Sequence, residues 1–112
     1  MTANPFRGEV AIEMGGVSYT ARPTYEAILK YEEATGRSSA ELLMRCSAGI
    51  FTLRDLTNIT HACLTAGGHP LPVARVGEMI VAEGQTELLG PVGKLLKGAL
   101  TGGKEPDEGE PG

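Results

Sequence analysis

Apolar and polar residues alternate with a period of two through residues 9–22, EVAIEMGGVSYTAR, on both sides of Gly15-Gly16. Such alternation sends every second side chain to one face of a strand, and two glycines supply the backbone freedom that a two-residue hairpin loop requires. The pattern predicts an antiparallel hairpin with Met14 facing Val17, Ile12 facing Tyr19 and Val10 facing Ala21. The same register sets Glu9 opposite Arg22 as a cross-strand ion pair, and a slip of one residue would lose both agreements. An isolated hairpin is barely stable, so its apolar face is expected to lie on helices.

After Pro23 the period lengthens to that of a helix. Thr24 is placed to cap a first helix through YEAILKYEEAT that stops at Gly36, with Tyr25, Ile28 and Leu29 as its inward stripe. Glu32 lies in the middle of that stripe and is anomalous there. Two readings stand: a helix-end carboxylate reaching water or an arginine, or a recognition residue for a partner. Ser38 and Glu41 have capping-box spacing ahead of a short second helix, with Leu42, Leu43 and Cys46 inward and Gly49 closing it. Thr52 caps a third, LRDLTNITHACLTA, whose Leu53, Leu56, Ile59, Cys63 and Leu64 share one side, with His61 pointing to the surface and Gly67-Gly68 ending the run. Beyond His69-Pro70-Leu71-Pro72, the residues Val73, Val76, Met79 and Ile80 define a fourth helix that fades at Glu83-Gly84.

From Thr86 onward ELLGPVGKLLKGAL is amphipathic, with Leu88, Leu89, Val92, Leu95, Leu96 and Ala99 on one side and Lys94 and Lys97 on the other. Gly90, Pro91, Gly93 and Gly98 lower its helix propensity by about 1 kcal/mol or more each, so it needs packing partners to be ordered. Those partners lie either inside the monomer or on another protein. The hairpin edges pose the same choice, between closure inside the monomer and extension by a partner strand. The fold class is therefore α+β, mostly α: an N-terminal two-stranded antiparallel hairpin followed by four or five short helices. One domain is expected over residues 1–100, with residues 101–112 as a disordered acidic tail that holds nothing apolar to bury.

Composition narrows the function. The chain of 112 residues has a formal charge of -4, and the last twelve residues contribute four acids against Lys104. The rest is close to neutral, without the basic footprint of a nucleic-acid binder. No apolar run is long enough to cross a bilayer and no signal peptide is seen at the start, so a cytoplasmic protein with no membrane partner is expected. Cys46 and Cys63 fall on apolar helix faces and read as free, buried thiols. His61 and His69 are the only histidines, and no Ser or Cys sits in a nucleophile elbow. Cys46, His61, Cys63 and His69 lack the spacing of a zinc site, and the glycine doublets match no phosphate-cradling motif. No catalytic residue, metal or cofactor is expected, which leaves association as the function.

The opening NPFRGEV, the stretch RPTYEAILKYEEATG, the helix LRDLTNITHACLTAGG and the late GPVGKLL resemble, in order and spacing, the tail assembly chaperone family of gene transfer agents and siphophages. Its members are also described as tail tube-associated proteins. The likeness covers residues 4–100. It implies a non-enzymatic chaperone that binds the tape measure protein during tail morphogenesis in the host cytoplasm, with the major tail protein and further copies of itself as other partners. The alternative it implies is a structural tube or completion component retained in the particle. A small regulator or toxin-neutralising protein is a third class. For partner binding the residues singled out are Leu88, Leu89, Val92, Leu95, Leu96 and Glu32. Deleting residues 86–100 is then expected to abolish client binding and leave the hairpin and third helix folded.

Overall fold

Gly15 and Gly16 both take positive φ, 61° and 78°, the backbone sign that a two-residue hairpin loop demands. They join β1 (Val10–Met14) to β2 (Val17–Ala21) in the expected register, Met14 with Val17, Ile12 with Tyr19 and Val10 with Ala21. Glu9 and Arg22 meet at 3.4 Å. Ile12, Met14 and Ala21 are buried, whereas Val17, at the tip, is half exposed. The computed structural model describes residues 8–103. The start of the NPFRGEV segment and the acidic tail from Lys104, expected to be disordered, lie outside the described residues.

Among the described residues five α-helices follow: α1 (Tyr25–Thr35), α2 (Ser39–Ala48), α3 (Leu53–Ala66), α4 (Val73–Glu83) and α5 (Leu89–Thr101), with a 3-10 turn, Gln85–Leu88, before α5. Helix α3 is the hub. It packs on α1, α4, α5 and β2, while α2 lies mainly against α5 and β1 against α5 and α4. Accordingly α3 is buried on more than its apolar stripe, since Asp55, Thr57, Thr60 and Ala62 join Leu56, Ile59, Cys63 and Leu64 in the interior. Thr24, Ser38 and Thr52 cap α1, α2 and α3 as the sequence indicates, and Gly36 and Gly49 end the first two in the left-handed conformation. Glu41 does not complete the box with Ser38; its carboxylate faces Arg37 at 3.6 Å.

The inward stripe expected for α1 is corrected. Tyr25 is 75% and Leu29 49% exposed, Ile28 is half-buried, and the helix turns Ala27 and Tyr31 inward. The reason is the surface it meets: across a shallow groove Ala27 faces Ala62, Thr65 and Ala66 of α3, small side chains that favour close approach over large apolar knobs. Tyr31 can be buried because its hydroxyl finds Ser39 Oγ at 2.7 Å. His61, expected on the surface, is half-buried at this side of α3.

Three segments meet at one buried acid. Asp55 closes a capping box with Thr52 at the start of α3, accepting from the Thr52 N–H at 3.4 Å while Thr52 Oγ1 accepts from the Asp55 N–H at 3.0 Å. Its other contacts are Arg37 Nη1 at 3.1 Å, from the α1–α2 link, and Arg45 Nε at 3.6 Å, from α2.

The glycine-rich α5 is helical within the monomer. Val92, Leu95 and Leu96, with Leu88 just before it, are buried. At about 1.5–3 kcal/mol for each side chain removed from water, their burial outweighs a cost of about 1 kcal/mol for each glycine. Gly98 has a further reason to be glycine, because a Cβ there would lie 3.1 Å from the Cα of Gly8. Gly93 has none: nothing lies within 4 Å of the position a Cβ would take. Gly93→Ala is expected to stabilise the protein by about 0.5–1 kcal/mol in urea unfolding. Gly90 is a poorer choice despite equally open space, since it precedes Pro91, whose ring crowds a Cβ in helical backbone.

Candidate interaction surfaces

The leucine stripe singled out in α5 is closed in the monomer. Leu88, Val92, Leu95 and Leu96 are core residues, and Leu89 is half-buried against the same core. A partner reaches them only if α5 lifts away from α2. Deletion of residues 86–100 would strip these side chains from beside α2, α3 and β1, so the expected separation of binding from folding does not hold for that deletion.

Glu32 has a structural task. Its Oε2 accepts from the Ser39 N–H at 2.8 Å and from Ser39 Oγ at 3.0 Å, which places a carboxylate on a free amide in the first turn of α2. Since Ser39 Oγ donates to Glu32, the Tyr31 hydroxyl is the donor in the Tyr31–Ser39 bond. The residue that broke the α1 stripe therefore joins α1 to α2. Two sequence cues could have shown this network: Glu32 falls seven residues before Ser39, and Tyr31 falls next to Glu32.

The potential nucleophiles are held protonated. Burial pushes the Cys63 thiol up to about 12, and Cys46 is raised by burial and then by the Asp55 carboxylate, with Arg45 opposing. Burial is also the main cause that raises Tyr31 to about 12, and Cys63 and Glu32 add to it. His61 is lowered by burial and by Lys30, against a backbone hydrogen bond with Leu71. For Cys63 and Tyr31 the folded value exceeds the unfolded one, so the unfolded chain loses its protons first as pH rises. Their contribution to stability is complete below about pH 9 and is lost as pH rises, from about 9 for Cys63 and about 10 for Tyr31, up to about 12. The urea midpoint is expected to be flat at neutral pH and to decline above pH 9, with a shallower decline in Cys63→Ala.

Exposed apolar side chains mark the surface that a partner could meet without rearrangement. Tyr25 and Leu29 lie one turn apart on the outer side of α1, Met44 and Ile50 on and after α2, and Val73 and Val81 on α4.

The two edges of the hairpin are treated differently. Along β2 the Thr20 N–H donates to His69 Nε2 at 3.2 Å, and the Arg22 N–H donates to the Cys63 carbonyl at 2.9 Å. Gly67 approaches so closely that a Cβ on it would lie 2.0 Å from the Thr20 carbonyl oxygen. The His69 ring also meets Tyr19 edge-on, with centroids 5.2 Å apart. Along β1 the register turns the backbone groups of Ala11 and Glu13 away from β2, and among the described residues these groups make no hydrogen bond. Both side chains are exposed. At the tip, the Gly15 N–H donates to Glu83 Oε2 at 2.6 Å and ties the loop to the end of α4.

Among the described residues no three His, Cys, Asp or Glu side chains are grouped to hold a metal, and no helix is long and apolar enough to cross a membrane. No curated protein and no solved structure matches the chain. A family model described as "phage tail tube protein, GTA-gp10" matches residues 7–102, a span that takes in both strands and all five helices. The chain therefore belongs to this family of phage and gene transfer agent tail proteins.

Proposed function

We propose that the protein is a non-enzymatic component of a phage-like tail or gene transfer agent particle, retained in the tube or at its completion and working through contacts with other tail proteins. The observation that carries this reading is the family match, whose description names a tail tube protein and whose span covers the whole described fold. Action by binding rather than catalysis is supported by the chemistry: both thiols are buried and held protonated, and His69 is engaged with the β2 edge. Mass spectrometry of purified particles tests the reading. A retained component is found at a fixed ratio to the major tail protein, and absence from intact particles rejects that role.

A second reading has the protein as an assembly chaperone that covers the tape measure protein in the host cytoplasm and leaves before the tail is complete. Tyr25 and Leu29, exposed one turn apart on the outer side of α1, support it as an adjacent apolar pair that a helical client can cover. Here the chain would be missing from particles and would co-purify with, and keep soluble, the tape measure protein on co-expression. In this reading the α5 leucines contribute only if the helix opens on the client.

A further inference from the structure

We propose that the open edge of β1 is a self-association site: two copies of this chain pair β1 with β1 in antiparallel fashion, Ile12 opposite Ile12, and join their hairpins into one four-stranded sheet. The pairing rests on the geometry of the monomer and does not depend on the tail assignment.

The first argument is the contrast between the edges. An unpaired strand edge templates association unless the fold blocks it, and this fold blocks β2 with His69, the Cys63 carbonyl and Gly67. On β1 the outward groups of Ala11 and Glu13 stay unpaired, with no proline in the strand and no group hydrogen-bonded to them among the described residues.

The second argument is that β1 is complementary to itself in one register. A two-fold pairing that uses the outward groups can be centred on Ala11, on Ile12 or on Glu13. Centring on Ala11 puts Glu9 opposite Glu13 of the second copy, and centring on Glu13 puts that acid opposite itself. Like charges directly opposite destabilise a ladder. Centring on Ile12 sets Ala11 opposite Glu13 twice, so that each pair exchanges two backbone hydrogen bonds and no acid faces an acid. Glu9, already paired with Arg22 in its own hairpin, falls opposite Gly15. The same register places Val10 opposite Met14 and Ile12 opposite Ile12, all on the face that each hairpin already turns toward its own helices. The inner face of the joined sheet is then continuously apolar.

Two five-residue strands bury less than a standard stable interface, so the dimer forms with a dissociation constant on the order of 0.1–1 mM. The test is sedimentation equilibrium with amide NMR on the full chain from about 20 μM to 1 mM. Mass is expected to rise toward the dimer while the amides of Ala11 and Glu13 shift, with those of Thr20 and Arg22 constant. Ala11→Lys sets an ammonium opposite Glu13 of the other copy and is expected to tighten the dimer by about 2- to 25-fold, and Ala11→Glu to weaken it by a similar factor. Residue 11 is exposed, and an unchanged circular dichroism spectrum for each variant keeps the comparison clean. Four outcomes overturn the proposal: no concentration dependence, equal effects of the two variants, dimerisation with shifts confined to another surface, or Ala11 and Glu13 amides protected equally at every concentration, which would mean another part of the chain covers the edge.

Discussion

Gly67→Ala is expected to destabilise the protein by about 3 kcal/mol or more, a large share of the stability of a small domain. The φ of Gly67 is -85°, which alanine adopts without strain, so the cost is entirely one of space. The added Cβ would lie 2.0 Å from the oxygen and 2.7 Å from the carbon of the Thr20 carbonyl. Both are backbone atoms, and the strand cannot give way alone, because Arg22 is bonded to Cys63 and Thr20 to His69 on either side. Relief requires β2 to move off α3, at a cost beyond the 1–3 kcal/mol of ordinary overpacking. Gly68→Ala is the control. Its φ is 98° with open space around it, so only backbone strain of about 1–2 kcal/mol is expected. Urea unfolding of the pair measures the difference; equal costs would mean that α3 and β2 do not approach as closely as described.

Asp55→Ala is expected to cost about 3–5 kcal/mol by the same measurement. The carboxylate is buried and faces two guanidinium groups, so its loss leaves the part-buried Arg45 without its acid, while Arg37 keeps only Glu41. Arg45 feels this most, since its Nε is buried and has no hydrogen-bond partner even with Asp55 in place. Half of the α3 capping box goes as well, the bond from the Thr52 N–H, while Thr52 Oγ1 still accepts from the backbone N–H of residue 55. Asp55→Asn keeps an acceptor for the Thr52 N–H and should recover roughly that cap contribution while leaving the charges unmatched. Arg37→Ala should cost less than Asp55→Ala, because Arg37 is partly exposed and Arg45 still faces the acid. If Asp55→Ala costs under about 1 kcal/mol, the acid does not hold the three segments together.

The features that local chemistry dictates were legible in the sequence. The loop Gly15-Gly16 sets the hairpin register, and Thr24, Ser38, Thr52, Gly36 and Gly49 mark helix ends because each acts on backbone groups within a few residues of itself. Which face of a helix turns inward is decided elsewhere. Counting hydrophobicity in α1 favours Tyr25 and Leu29, yet the small residues of α3 select Ala27, and Ser39 selects Tyr31. The spacing of Thr52 and Asp55 is a cap signal, but the two arginines that make the acid central come from positions 10 and 18 residues away. Gly67-Gly68 reads as a helix stop, and nothing local shows that a strand's carbonyl lies against its first member. The α5 stripe was correctly located, and its burial follows only from the position of α2, β1 and α3 around it.

The packing of β1 on α5, with Gly8 against Gly98, sets a timetable for synthesis. The strand is made first and the helix that covers it last, about 80 residues later, which takes on the order of 4–16 s at ordinary elongation rates. Through that interval Ile12 and Met14 have no α5 to lie on, and the part of the core furnished by Leu95 and Leu96 does not yet exist. The nascent chain therefore carries an apolar strand that only α4 can partly cover until α5 is made, and shortening that wait, by a circular permutation that starts at α5, should raise the soluble yield.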